Sequence, residues 1–152
     1  MKTVVFVGLL VVLGISGAFA ASAGWEDDYR KALATARQES KHILVNFTGS
    51  DSCLPCMKMK ANIFSKKEFR EFAEQNLVLM EVDFPRKRHL PFHIEIQNQR
   101  LAKDFGVVWF PAIFVLSPEG KRLVRYRYME GGPERFIATI KKSMRPQVSA
   151  KE

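Results

Sequence analysis

Cysteine is almost missing from this sequence: two residues, Cys53 and Cys56, in a chain of 152. So close a pair staples almost nothing, because the entropy a cross-link removes from the unfolded chain grows with the loop it closes. That argues against a stabilising framework and for chemistry. Zinc asks for four ligands, and no second cysteine pair supplies them. Histidine is scarce too, at three residues, and none lies between the cysteines to stabilise a thiolate further. This leans against a very strong oxidant. His89 and His93 flank Pro91 in a basic loop and read as exposed polar residues rather than ligands. The apolar run from Val4 to Ile15 is shorter than the roughly 18–20 residues a membrane-spanning helix needs. No cysteine follows it, so a lipid-modified N-terminus has no acceptor. Internal repeats, low-complexity tracts and a second domain are missing as well.

The start of the chain carries an export signal instead. Lys2 provides a short positive start, the apolar run follows, and Ala18-Phe19-Ala20 fits a small-x-small cleavage site before Ala21. The pattern predicts a signal peptide over 1–20, a short linker over 21–24, a domain over 25–145 and a flexible tail over 146–152. An uncleaved N-terminal anchor is the alternative. The expected location is the periplasm or the secreted fraction, with no stable membrane span once the signal is gone. Thiols in such compartments can be held as disulfides. The formal charge of +8 gathers in Arg86-Lys87-Arg88 and in Lys121 to Arg127. Such a surface favours acidic partners, anionic lipid or nucleic acid. A solvated face is the plainer account, and no nucleic-acid partner is expected of an exported protein.

Hydropathy then alternates between helix and strand. Trp25, Tyr29, Leu33 and Ala36 recur at helical spacing and predict an amphipathic first helix. His42 to Thr48 reads as a buried strand, and Gly49 to Ser52 as a loop. Cys53 to Asn62 fits a helix, with Pro55 tolerated in its first turn. Ser65 and Glu68 form a capping box for a helix that buries Phe69, Phe72 and Ala73. Leu77 to Phe84 is a second strand, Pro85 to Pro91 a loop, and Asn98 to Phe105 a short helix ended by Gly106. Ala112 to Leu116 and Arg122 to Tyr128 flank a Ser117–Gly120 turn and predict a hairpin. Gly132 and Pro133 open a last helix with Phe136, Ile137, Ile140 and Met144 on one face. The order α-β-α-α-β-α-β-β-α implies an α/β fold: a four-stranded mixed sheet, helices on both faces, and an extra N-terminal helix.

A cysteine at a helix start, just after a strand, sits where backbone N–H groups and the helix dipole favour an anion. Cys53 takes that exposed position and reads as the nucleophile. Cys56, one turn on, is placed to attack the resulting mixed disulfide and release the partner. Leu54 and Pro55 set the geometry between them, and Pro55 stiffens the turn. Copper(I) handling is a rival reading, because Met57 and Met59 add soft sulfur nearby. Core filling on an amphipathic helix explains the methionines more simply. No metal site and no cofactor are expected.

Strand, C-x-x-C at a helix start and a Phe110-Pro111 step entering the hairpin resemble the thioredoxin superfamily. Phe47-Thr48-Gly49-Ser50-Asp51, Glu81-Val82-Asp83-Phe84-Pro85 and Gly106 to Pro111 are similar to exported bacterial thioredoxin-like proteins, over roughly Trp25 to Met144. The resemblance implies a thioredoxin fold and thiol–disulfide exchange with protein thiols and disulfides, plus a redox partner that recycles the dithiol. It also implies a cis Phe110-Pro111 bond against the dithiol, its backbone pairing with the partner's extended chain. Three residues depart from the family pattern. Ser52 stands where Trp is frequent, and Leu54 where Gly is common. Asn46 is the nearest match to a buried acid that serves the second cysteine in thioredoxins proper, and it cannot ionise. Asp51 is nearer in sequence and is expected to be exposed. A non-catalytic interaction module that kept the fold is the third reading.

Overall fold

The computed structural model describes residues 24–145. The expected signal peptide, most of the linker and the tail lie outside them. The strands are β1 (Trp25–Glu26), β2 (His42–Thr48), β3 (Leu77–Asp83), β4 (Ala112–Leu116) and β5 (Arg122–Tyr126). They join in one sheet of order β1-β3-β2-β4-β5. β2 and β3 are largely apolar and buried along most of their length, as suits a sheet covered on both faces. They pair in parallel, as strands joined through helices should, whereas β4 runs antiparallel to β2 and forms the hairpin with β5.

Alternation along β2 sorts the core. Leu44 faces a cluster with Met59, Ile63, Phe64, Phe69, Phe136 and Ile140, contributed by the dithiol helix and the helices α3 (Lys67–Asn76) and α5 (Gly132–Met144). Its aromatic rings meet edge-on or tilted at centroid distances of 5.1–5.9 Å, each pair adding about 0.5–1.5 kcal/mol beyond area burial. Ile43, Val45 and Phe47 face the other side, where α1 (Tyr29–Glu39) and α4 (Phe92–Phe105) bring Ala32, Ala36 and Leu101.

Four boundaries differ from expectation. The sheet has five strands, not four, because Trp25 is not on the first helix. Asp28 caps α1 by accepting the Arg30 and Lys31 N–H groups at 2.8 and 3.3 Å, so the chain before it is extended and pairs with β3. Trp25 then packs on Phe64 across the sheet from Tyr29 and Leu33. The Ser65–Glu68 capping box does not form. The dithiol helix α2 (Leu54–Met59) continues as a π-helical turn over Lys60–Phe64, and Ser65 closes it through its N–H to Lys60 O at 2.8 Å. Lys66 is therefore the N-cap of α3. α4 starts at Phe92, right after Pro91, rather than at Asn98. Its buried face includes the polar Asn98, which interrupts the apolar period. β5 ends at Tyr126, short of Tyr128.

Candidate active site: the Cys53–Cys56 dithiol

β2 delivers the chain to a tight loop at the end of the sheet where β2 and β3 finish. A Cβ on Gly49 would stand 3.3 Å from Ser52 Oγ and 3.4 Å from Cys53 Cβ, so a side chain there would press on the turn that presents Cys53. The Cys53 N–H donates to Gly49 O at 2.9 Å. Cys53 itself is the N-cap of α2, in extended conformation, and its Sγ accepts the Cys56 N–H at 3.3 Å. Pro55 occupies the first turn, where no N–H is needed. The cysteines are joined as a disulfide with Cα atoms 5.2 Å apart. They differ in access: Cys53 is half-buried, whereas Cys56 is 5% exposed.

Two carboxylates tie this loop to the segment after β3. Asp83 is buried and accepts the Ser50 N–H at 2.9 Å, the Ser50 hydroxyl at 2.7 Å and the Arg88 guanidinium. Asp51 accepts the backbone N–H of Arg86 at 2.8 Å and of Lys87 at 2.7 Å. Those bonds, Arg86 first, hold its carboxyl below the usual aspartate range. Of the basic run, Arg88 contributes its side chain to this tie, whereas Arg86 and Lys87 contribute backbone N–H groups.

Asn46 lies on β2 facing the dithiol helix and is buried at 5% exposure. With Cys56 it lines a cavity of about 190 Å³, and its Oδ1 has no protein partner. The carboxylate absent from position 46 stands beside it. Glu81 on β3 is in register with Asn46 and lines the same cavity. Burial, then the charge of Asp83, pushes the Glu81 carboxyl above the ordinary glutamate range, against the pull of Lys60 and Arg88. Sequence reasoning passed over Glu81, although alternation in Leu77-Val78-Leu79-Met80-Glu81 carries a signal. Leu77, Leu79 and Glu81 share the face of the dithiol helix.

The Phe110-Pro111 bond is cis. Phe110 stacks on Phe84 with centroids 5.2 Å apart. Trp109, Phe110 and Pro111 line a groove with Pro55 of α2 and with Arg125 and Arg127 at the hairpin. Leu54 (69% exposed) and Trp109 (72%) leave an apolar patch beside the disulfide. Exposed apolar surface rimmed by polar groups marks a contact site for another chain. Other singled-out residues sit elsewhere. Met59 is buried in the core, Met57 lines the Cys56 cavity, and His89 and His93 are exposed. Among the described residues no cluster of three or more His, Cys, Asp or Glu could hold a metal ion.

A mixed sheet of this order with a disulfide at the first turn of a helix and a cis-proline step defines the thioredoxin-like class. A thioredoxin-like domain model matches residues 29–143, and the chain belongs to that family. It is 37% identical over 126 residues to the disulfide bond reductase DsbH of Chlamydia pneumoniae, covering 83% of this chain and 75% of that one. The thioredoxin-related protein DsbJ of the same organism is 31% identical over 101 residues, which span 66% of this chain but 29% of DsbJ. A solved structure of a DsbH oxidoreductase superposes with a TM-score of 0.76 at 36% identity, over 82% of this chain and 85% of that one. A thioredoxin from Thermus thermophilus shares the fold at a TM-score of 0.59 and 18% identity, over 80% of this chain and 86% of its own. The chain is a thiol–disulfide oxidoreductase of this family.

Proposed function

We propose that this protein reduces disulfides of other proteins outside the cytosol, with Cys53 as nucleophile and Cys56 as resolving thiol. The unequal access of the two sulfurs carries the assignment: Cys53 is half-buried at the helix start, and Cys56 is buried behind it. The Cys53 thiolate attacks a partner disulfide, one partner sulfur leaves as thiolate, and a mixed disulfide remains. The Cys56 thiolate then attacks Cys53 Sγ and the second partner thiolate leaves. Two electrons have passed to the partner, and the Cys53–Cys56 disulfide is the product. A separate dithiol partner restores the reduced form. The Cys56 N–H directed at Cys53 Sγ supports the thiolate in the first step.

The groove beside Pro55 suits an extended partner chain, with Phe110 and Pro111 as its floor and Leu54 and Trp109 as apolar contacts. Asp51 and Asp83 support the site by holding the loop that presents Cys53. The reductive direction is favoured by the similarity to the reductase DsbH. No histidine in Leu54-Pro55 adds oxidising power. Insulin reduction driven by dithiothreitol tests the reading. The wild type should accelerate precipitation of the insulin B chain and Cys53→Ser should not, with Cys56→Ser trapping a mixed disulfide. Wild-type rates equal to those of Cys53→Ser would leave a fold that merely holds a disulfide.

A further inference from the structure

Resolution of the mixed disulfide needs Cys56 as a thiolate, and its position makes that difficult. Cys56 is only 5% exposed, and burial disfavours the charged form of a thiol. Its proton must therefore leave through the cavity behind it. That cavity is walled by Trp25, Asn46, Thr48, Phe64 and Glu81 as well as Cys56. At about 190 Å³ it is large enough to admit water.

The lining offers few places for a proton to go. Asn46 has no basic site, and a threonine or serine hydroxyl is far too weak a base. Lys60 also reaches the cavity, but an ammonium group offers donors and no acceptor. Among the described residues lining the cavity, Glu81 is the one acid. It lies on the same sheet face as Asn46, paired with it across β2 and β3. The nearby Asp83 is taken up by Ser50 and Arg88.

We propose that Glu81 accepts the Cys56 proton in the resolving step, through water in the shared cavity. The inference rests on Cys56 being the resolving thiol. In that step the Cys56 S–H proton passes to the Glu81 carboxylate. The thiolate then forms the S–S bond to Cys53, and the bond from Cys53 to the partner breaks. The departing partner thiolate keeps the electron pair. Glu81 is half-buried, so its proton afterwards returns to solvent. The surroundings of the carboxyl favour the transfer. Burial and the neighbouring Asp83 charge raise it toward the thiol, which makes the exchange less uphill. Lys60 and Arg88 act in the opposite sense, favouring the carboxylate.

Ellman's disulfide separates the two sulfurs in one stopped-flow trace of the reduced full-length protein. The first thionitrobenzoate leaves when Cys53 attacks, and the second when Cys56 resolves. Glu81→Gln should leave the first phase within about twofold and slow the second by roughly tenfold or more near neutral pH. It should also remove the lower ionisation from the second phase's pH profile. Glu81→Asp should keep that ionisation, because the acid remains. Superimposable second-phase profiles for wild type and Glu81→Gln would overturn the proposal. So would equal slowing of both phases, which would make Glu81 a shaper of the site. Folding is checked by the thermal midpoint, which Glu81→Gln should hold or raise at neutral pH, where it removes a partly buried charge. Insulin reduction reads the wider functional reading separately, since its failure leaves both Ellman phases measurable.

Discussion

Asp51, in the dithiol loop, and Asp83, at the end of β3, show how two carboxylates beside one site carry different burdens. Asp83 is shut away and hydrogen-bonded three times, so its place in the site is one of packing and satisfaction. Asp51 works at the surface, accepting two consecutive backbone N–H groups. Because those bonds favour the ionised form, its folded pKa lies below the unfolded one. Its stabilisation is then complete above the ordinary aspartate pKa and is lost as pH falls through the depressed folded value. Asp51→Asn should lower the thermal midpoint at neutral pH, and the gap to wild type should close in strong acid. Melting curves across an acidic pH series check this. A gap that widened on acidification would mean that the carboxylate is not held by Arg86 and Lys87.

α4 illustrates how a helix can be set by a polar contact. Its inward residues Ile94, Asn98 and Leu101 are spaced for one face, and Asn98 sits in the middle of it. Asn98 Nδ2 donates to Asp83 O at 2.9 Å, tying the helix to the end of β3 beside the dithiol loop. Asn98→Ala would leave that carbonyl without its partner and should cost about 1–3 kcal/mol. Urea unfolding measures it, and a loss below the error of the midpoint would place the anchoring elsewhere. Past the dithiol, the π-helical turn has the reverse origin. Ser65 N–H reaches Lys60 O, five residues back, and the widened turn puts Ile63 and Phe64 together in the core. Phe64 thereby meets Trp25, Phe69 and Phe136 at once.

Across the molecule, charge rims the apolar patch: Arg125 and Arg127 share the groove of Trp109 and Phe110. Arg122 and Arg125 are exposed on the edge strand β5, where charge discourages pairing with another sheet. Leu54, Val108 and Trp109 stand out near the disulfide, at the end where β2 and β3 finish. No helix among the described residues is long and apolar enough to cross a membrane. Export with removal of residues 1–20 is proposed from Ala18-Phe19-Ala20. The mature protein should then begin at Ala21. Intact mass of protein recovered from the exported fraction decides it, and a species still carrying Met1 would defeat the proposal.

Much of the architecture was written in local patterns. The apolar runs of β2 and β3, the hairpin around Ser117–Gly120 and the start of α5 at Gly132-Pro133 follow from hydropathy and turn chemistry alone. Cys53 and Cys56 declared the chemistry through spacing, since two cysteines so close have little else to do. Where local pattern and structure diverge, a contact outside the pattern decides. Trp25 obeys the helical period of α1 yet lies before its cap, and only pairing with Leu79 on β3 turns it into a strand. The capping box at Ser65 lost to a hydrogen bond that closes the preceding turn. Glu81 is the clearest case. Alternation with Leu77 and Leu79 puts it on their face of β3, but its pairing with Asn46 and its place behind Cys56 are set by the neighbouring strand. Packing β3 beside β2 brings it level with Asn46, behind Cys56, and makes it a half-buried acid in the dithiol's own cavity.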